Sequence, residues 1–536
     1  MNEAYLMVMV FCCEKMISGC YRVEMEEFMM KDKVSRRSFF KLLGSAGVVG
    51  TGILATGCSG KTTGGNGWIP NQYEGSKNWP VKVKGRIAID SKNPSLMRDD
   101  SKCILCGQCL EVCQRVMSVY GSYELPIKDD TPCVHCGQCT LWCPTGALTE
   151  KSNINEVVKA LQDSSKFVIV QTAPATRVAL GEEFGMEAGT IVEGKQVAAL
   201  KTIGFDAVVD TTYSADLTIM EEASEVVHRV LHEQEKLPQF TSCCPGWVKF
   251  CEYFGSDIMQ HLSSCKSPQQ MLGPLTKTYY AKKKSISPKD IVSVSIMPCT
   301  AKKYECNRPE MNAAGVELGD PTIRDVDYVL TTRELARLIK MNQIDLTKLE
   351  DAPYDSILGE GTGAGKIFGA TGGVMEAAVR TLYWLVTKQD PPEGLLNWQA
   401  VRGLAGVKEA SANVPTVGEV KVAVCSGLRN ARIIMERIRN KTAPWQFIEF
   451  MACPGGCIAG GGQPRTSLPP NDDIRTQRMQ NLYKLDSKKG VKRLSHKNQE
   501  VQDLYDDYLE KPLSEQAEKL LHTHYTDRSQ QLTIKK

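Results

Sequence analysis

The sequence predicts an α/β body with mostly parallel sheets, preceded by a small cysteine-rich α+β domain. Three observations carry this expectation. Apolar runs with strand character repeatedly pass through a turn into amphipathic helical spacing. Eight cysteines fall into two copies of one tight pattern between residues 103 and 143, and further cysteine motifs follow apolar runs downstream. The 536 residues, 42% hydrophobic and 24% charged, suffice for several domains with their own cores.

Charge names no partner. A formal net charge of +3 offers neither a broad basic face for nucleic acid nor an acidic tail. Cysteine says more: 21 in one chain exceed what packing needs, and their spacings suit metal sites better than disulfide frameworks.

The N-terminus reads as an address. Arg36 and Arg37 precede an apolar, Gly-rich run from Leu42 to Ala55 that is too short for a comfortable membrane span. Ser35-Arg36-Arg37-Ser38-Phe39-Phe40-Lys41 matches the twin-arginine export motif, a route that carries proteins folded with their cofactors. The run ends in Ala55-Thr56-Gly57-Cys58, which fits either a lipoprotein box with a lipid on Cys58 or ordinary cleavage nearby. The expected location is the outer face of the cytoplasmic membrane or the periplasm. Residues 1–29 lie upstream of a signal that is complete from Met30, the expectation being a misassigned start codon. Residues 1–57 are thus extension and signal, and Gly, Lys, Asn, Ser and Pro over 58–98 suggest a linker.

Residues 99–150 hold Cys103, Cys106, Cys109, Cys113 and Cys133, Cys136, Cys139, Cys143, each set spaced C-x2-C-x2-C-x3-C, with Pro144 after the second. That spacing lets three thiolates of one loop bind a cubane while the fourth ligates the other cubane, the arrangement of a ferredoxin-like domain with two [4Fe-4S] clusters. Zinc would favour paired C-x2-C knuckles with longer gaps.

Strand and helix alternate through residues 151–470. "KFVIVQTAP" (166–174) stops at Pro174, "FDAVVDTTYSADLTIMEEASEVVHRVL" passes from strand to helix, and residues 291–297 form a β-rich run that delivers Cys299. "VKVAVCSGLRNARIIMERI" repeats the scheme with Gly427 at the turn. Such units build a mostly parallel sheet whose ligands gather beyond the carboxyl ends of strands, where Cys299 and Cys425 fall. "FTSCCPGWV" (240–248), "IMPCTAKKYE" (296–305) and "FIEFMACPGGCIAGGGQP" (447–464) are three cysteine loops rich in Pro and Gly. Such loops stay irregular and let backbone amides approach a cluster. Taken singly, each also fits structural zinc or buried thiols.

These three loops resemble, nearly residue for residue, the signature motifs of the [FeFe]-hydrogenases. The resemblance covers roughly 99–536 and includes "FGATGGVMEAAVR" (368–380) and "SEQAEKLLHTHY" (514–525), the latter similar to the family's small subunit, here fused as residues 471–536. It implies a two-lobed α/β domain around an H-cluster, with Cys244, Cys299, Cys453 and Cys457 holding a cubane. Cys457 would bridge it to a di-iron unit bearing CO, CN and a dithiolate. It also implies reversible oxidation of H2 to protons, a proton relay of Cys243, Glu222, Ser263, Glu225 and Arg229, and Lys302 at a cyanide ligand. Met297, Met451, Ala173 and Pro174 would line the di-iron pocket. Without the resemblance, Glu222, Glu225 and Arg229 fit a solvated helix face, Lys302 a surface charge like Lys303, and the methionines core filler. Implied partners are a ferredoxin or cytochrome-type electron carrier, maturation proteins for the di-iron unit and the twin-arginine translocase. The absence of a Gly-rich nucleotide loop argues against direct reduction of NAD. Cys251, Cys306 and Cys425 are expected to be buried thiols, and Cys265, beside the relay, is an unassigned thiol. A non-catalytic cluster-assembly relative would degrade the loops kept here. A hydrogen sensor would lose Cys243.

Overall fold

The computed structural model describes residues 85–124, 132–415, 417–465 and 467–534, all within one compact unit spanning Ile69–Lys536. The signal-peptide, start-codon and Cys58 expectations lie outside the described residues. Among the described residues no helix is long and apolar enough to cross a membrane.

Two four-stranded sheets form the body. In the first, β4 (Phe167–Thr172), β5 (Ala207–Asp210), β7 (Ile291–Met297) and β8 (Tyr328–Thr331) run parallel in the order β5-β4-β7-β8. In the second the order is β6-β11-β10-β9, from β6 (Gln239–Phe240), β9 (Val407–Val414), β10 (Gly418–Ser426) and β11 (Phe447–Met451); only the β9–β10 pair is antiparallel. The expected two lobes of mostly parallel sheet are therefore present.

Each sheet follows from local chemistry. The β4 run FVIVQT is rich in branched residues and ends before Pro174, which has no N–H for a ladder. The long helix Thr211–His232 starts where the Asp210 carboxylate accepts from Thr212 N at 2.9 Å. Its Ile219, Ala223 and Val226 pack with Val374, Met375 and Ala378 of the helix Gly373–Thr387. At Gly427 the backbone has φ +88°, a conformation glycine adopts without strain, and the helix Leu428–Arg439 follows.

The N-terminal cysteine region carries β1 (Leu96–Arg98) and β3 (Leu148–Glu150), paired antiparallel, and β2 (Tyr123–Glu124), which pairs with β12 (Thr533–Ile534) at the far end of the chain. The linker expectation for 58–98 needs correction at its end. Ile87 N donates to Cys109 Sγ at 3.3 Å, and Asn93 Oδ1 accepts from Ser95 and Leu96, so residues 87–96 are tied to the cysteine region. The Gly, Asn and Ser that read as linker serve there as turn formers.

Candidate functional site

The three downstream cysteine loops leave the carboxyl ends of neighbouring strands. Cys299 lies two residues past β7, Cys453 two past β11, and Cys243 and Cys244 just past β6, while Ala173 and Pro174 follow β4. Parallel strands thus deliver their loops to one place. Burial, and then the neighbouring Cys299, Cys136, Cys244 and Cys457, push the Cys453 thiol well above its ordinary range. Burial and then Cys244 push Cys299 up to about 12. Cys457 rises by burial and then by Cys244 and Cys299. Four thiols so buried, three of them raised further by their neighbours, need a cation among them to become thiolates together.

The residues present fit an iron–sulfur cubane at Cys244, Cys299, Cys453 and Cys457. Ala452 N donates to Cys244 Sγ at 3.3 Å, as amides do to cluster sulfur. Gly456 holds φ +91°, and a Cβ there would lie 2.7 Å from both Met451 Sδ and Thr371 N. Only glycine lets the Cys453–Cys457 loop lie so close to its surroundings. Among the described residues no three His, Cys, Asp or Glu side chains are drawn together as around a single ion.

The upstream cysteines interleave. Cys103, Cys106 and Cys109 line one cavity with Cys143 of the other motif. After burial, Cys133 is the main charge felt by Cys113, while Cys136 and Cys139 both feel Cys113 and Cys133. Leu148 N donates to Cys143 Sγ at 3.4 Å, and His135 N to Cys133 Sγ at 3.4 Å. Both fourfold sets suit cubanes by the same criterion.

The second set abuts the downstream loops. A Cβ on Gly461 would lie 2.2 Å from Cys136 O, and one on Gly460 2.2 Å from Pro298 O. Thr300 Oγ1 donates to His135 O at 2.6 Å and Gln138 Nε2 to Ala459 O at 2.8 Å. The triple glycine after Cys457 therefore lets two cysteine loops share one backbone interface.

The residues expected to form a relay are interior, which corrects the solvated-face alternative. Exposure is 0% for Glu222, 7% for Glu225 and 4% for Arg229. Ser263 Oγ donates to Glu225 Oε2 at 2.5 Å, and Arg229 Nη2 donates to Glu225 Oε1 at 2.7 Å. Neither oxygen of Glu222 has a close hydrogen-bond partner. Burial, then the Glu225 charge, push the Glu222 carboxyl up to about 8, and the more distant Ser263 hydroxyl and Ser242 amide offset this only in part. Burial and then Glu222 push the Cys243 thiol well above its ordinary range.

Lys302 Nζ donates to Cys243 O at 3.1 Å and to Glu305 Oε2 at 3.0 Å. Lys303 is not a surface charge: it is buried and paired with Glu334 at 2.9 Å, because its helix lies under β8. Met297 packs with Ala173 and Cys306, Pro174 is buried, and Met451 Sδ lies against Gly456. Cys251 and Cys425 are thiols of one apolar core, and Cys306 is buried with Sγ 3.3 Å from Lys303 O. Cys265 Sγ lies 3.8 Å from Glu225 Oε2.

Sequence reasoning missed Glu305, Glu449 and Arg333. Glu449 accepts from Gly372 N at 2.6 Å and Met375 N at 2.8 Å at the start of the helix Gly373–Thr387. A lone acid inside the apolar strand FIEFM was its signal. Arg333 sits on an amphipathic helix, and nothing local marked it.

Buried thiol sets beyond parallel strands, joined to a second cysteine-rich lobe, define an iron–sulfur redox protein. The family model for the C-terminal domain of the iron-only hydrogenase large subunit matches residues 166–461, and that for the iron hydrogenase small subunit matches 472–528. The chain is 46% identical over 453 residues to the NADP-reducing hydrogenase subunit HndD of Solidesulfovibrio fructosivorans, covering 81% of this chain and 75% of the relative. It is 41% identical over 472 residues to iron hydrogenase 1 of Clostridium pasteurianum, covering 85% and 80%. An apo variant of the [FeFe]-hydrogenase HydA1 of Chlamydomonas reinhardtii superposes with a TM-score of 0.60 at 40% identity over 70% of this chain and 99% of that one. The chain belongs to the iron-only hydrogenase family and is a hydrogenase, with large- and small-subunit regions on one polypeptide.

Proposed function

We propose that the protein interconverts H2 with protons and electrons at an H-cluster held by Cys244, Cys299, Cys453 and Cys457. When bound, the cluster supplies a Lewis-acidic iron beside a basic amine, the pair that heterolytic splitting of H2 demands. The chain's residues manage the proton. Cys243 Sγ holds it; Glu222, a carboxyl protonated near neutral pH, gives its own proton to Ser263 Oγ as it takes the one from Cys243, and Ser263 gives its hydroxyl proton to Glu225. The oxygens of Glu222, without a close partner in a wholly buried place between Cys243 and Ser263, are the observation that carries this reading. A buried acid without close donors is costly unless it exists to change its protonation. Lys302, fixed by Glu305, sets a positive charge beside Cys243 and suits a cyanide ligand. Met297, Met451, Ala173 and Pro174 exclude water from the same place.

Electrons pass through two [4Fe-4S] clusters, one on Cys113, Cys133, Cys136 and Cys139 beside the catalytic loops and one on Cys103, Cys106, Cys109 and Cys143. The carrier beyond them is a ferredoxin or cytochrome-type protein. The enzyme takes the twin-arginine route outward, with Cys58 a lipid anchor, after maturation proteins have built the di-iron unit. Export favours H2 uptake, since protons released outside and electrons passed inward conserve energy.

The test is an infrared spectrum of the anaerobically purified, matured protein in the metal-bound CO and CN region. Bands that shift under H2 support the reading; a blank spectrum with intact cubanes refutes it. In Cys243→Ala the bands should persist while turnover falls by about a hundredfold or more. Full turnover in that variant would remove Cys243 from the path.

A further inference from the structure

The relay as it stands ends on a group that cannot pass a proton. A guanidinium offers donors and no acceptor, and that of Arg229 is bound to Glu225, His261 O and Leu262 O. A proton arriving at Glu225 needs another way out.

The small-subunit segment supplies one. Residues 521–525 lie along the 263–266 loop: Lys266 N donates to Leu521 O at 2.8 Å, Thr523 N to Ser264 O at 2.8 Å, and Tyr525 Oη to Ser263 O at 2.5 Å. This ladder carries the His522 ring to Ser264. His522 Nδ1 lies 2.8 Å from Ser264 Oγ, and Ser264 Oγ donates to Glu225 Oε1 at 3.0 Å. The other ring nitrogen, Nε2, lies 3.2 Å from Glu221 Oε2. Glu221 is itself fixed by Tyr505 Oη at 2.6 Å and Leu513 N at 2.9 Å. On the outer side, Glu518 approaches Nδ1 at 3.8 Å, and its side chain is 51% exposed against 3% for His522.

We propose that protons enter and leave this relay through Ser264 and His522, with Glu518 at the solvent end. This inference rests on the relay reading above and adds the exit to it. Moving inward, the Nδ1–H bond of the imidazolium breaks as its proton goes to Ser264 Oγ, whose own proton forms an O–H bond on Glu225 Oε1. The neutral ring is then reprotonated from Glu518 or water; H2 oxidation runs the same transfers in reverse. Glu221 steadies the ring through Nε2 and favours its charged form. The ionisable groups facing the ring are Glu221 and Glu225 of the long helix, Glu518 of its own helix and, through the Cys265 to His522 backbone bridge, Cys265. Burial alone would lower the imidazole, but the Glu221 contact and the charges of Glu221, Glu518 and Glu225 outweigh it and hold the ring above its ordinary range.

The test uses matured, full-length His522→Ala, His522→Gln and Ser264→Ala, with Cys243→Ala as control and the CO and CN bands as proof of loading. In His522→Ala, turnover should fall about tenfold or more, the solvent deuterium isotope effect should rise, and added imidazole should restore the rate. His522→Gln keeps polar contacts to both neighbours and should lose the same rate, which separates proton passage from a clasp; Ser264→Ala should be slow and not rescued by imidazole. Independently of turnover, H/D exchange of the buried Glu222 carboxylic acid band should slow in His522→Ala. Wild-type rates and exchange in all three variants, with Cys243→Ala inactive, overturn this exit and leave the relay standing. An active Cys243→Ala overturns both.

Discussion

Glu222 couples proton chemistry to stability. In the fold it keeps its proton up to about 8, against an ordinary value of 4.5. Between those values the folded protein binds more protons than the unfolded chain, so this group lowers stability as pH rises through that window. Glu222→Gln cannot ionise. Its melting temperature should gain steadily on that of the wild type from about pH 4.5 to 8, while its H2 turnover falls. A difference that stays flat across the window would mean that the buried carboxyl is already ionised. Gly456 is the backbone counterpart. Gly456→Ala would impose φ +91° on a side-chain residue, at about 1–3 kcal/mol, and drive Cβ to 2.7 Å from Met451 Sδ and Thr371 N. The expected result is loss of the CO and CN bands with the upstream cubanes still visible by electron paramagnetic resonance. Retained bands would show that the loop relaxes.

At the scale of elements, the catalytic loops and the second cysteine motif are tied by the helix Thr332–Met341. Its Arg333 donates to Gln463 O at 2.6 Å, Gly461 O at 2.9 Å and Thr140 Oγ1 at 3.1 Å, and it pairs with Glu150 of β3. Burial alone would raise the Glu150 carboxyl, but Arg333 and then Arg337 outweigh it and hold it at about 2. A lowered carboxyl contributes stability that is complete above about 4.5 and is lost as pH falls through about 2. Arg333→Met leaves the buried Glu150 only its second partner, Arg337, and should cost up to about 3–5 kcal/mol, the range for breaking a buried pair. It should also move that acid loss to higher pH, measured by denaturant unfolding from about pH 3, below the ordinary carboxylate range, to about pH 7. A cost below about 1 kcal/mol, the range of exposed pairs, would show the helix held by packing alone. Sequence periodicity showed β4, β7 and β10 because branched apolar runs ended in Pro or Gly, and the ligand cysteines stood out by spacing. Arg333 did not stand out, since its partners come from residues 140, 150, 461 and 463, and no local pattern encodes contacts that distant. Lys303 misled for the same reason: beside Lys302 it looks exposed, and only the approach of Glu334 buries it.

At the scale of the molecule, residues 472–528 match a family model of their own, although they fold into the same compact unit as the larger region. The family models match the two regions separately, meeting near the Pro-rich stretch 464–470. Across the junction, Arg478 forks onto Glu182 at 2.6 and 2.7 Å, Arg380 pairs with Asp486 at 3.0 Å, and Ser495 and Asn498 bind the buried Asp216. Leu482, Leu504, Leu509, Leu520 and Leu521 are fully buried. Each such leucine stabilises the joint by about 1.5–3 kcal/mol, together comparable with the roughly 4–15 kcal/mol of freedom lost when two pieces associate, and the ion pairs tip the balance toward association. A short covalent linker adds an effective concentration in the millimolar range and no new contact. Cutting the chain after Ser467 and co-expressing the halves should therefore give a one-to-one complex that stays together at micromolar concentration and turns over H2. Separation of the halves on gel filtration would show that the linker, and not the interface, keeps His522 against Ser264. In that case, adding the small piece back at millimolar concentration should restore turnover in proportion to the fraction bound, because the residues that place the ring all lie within the interface.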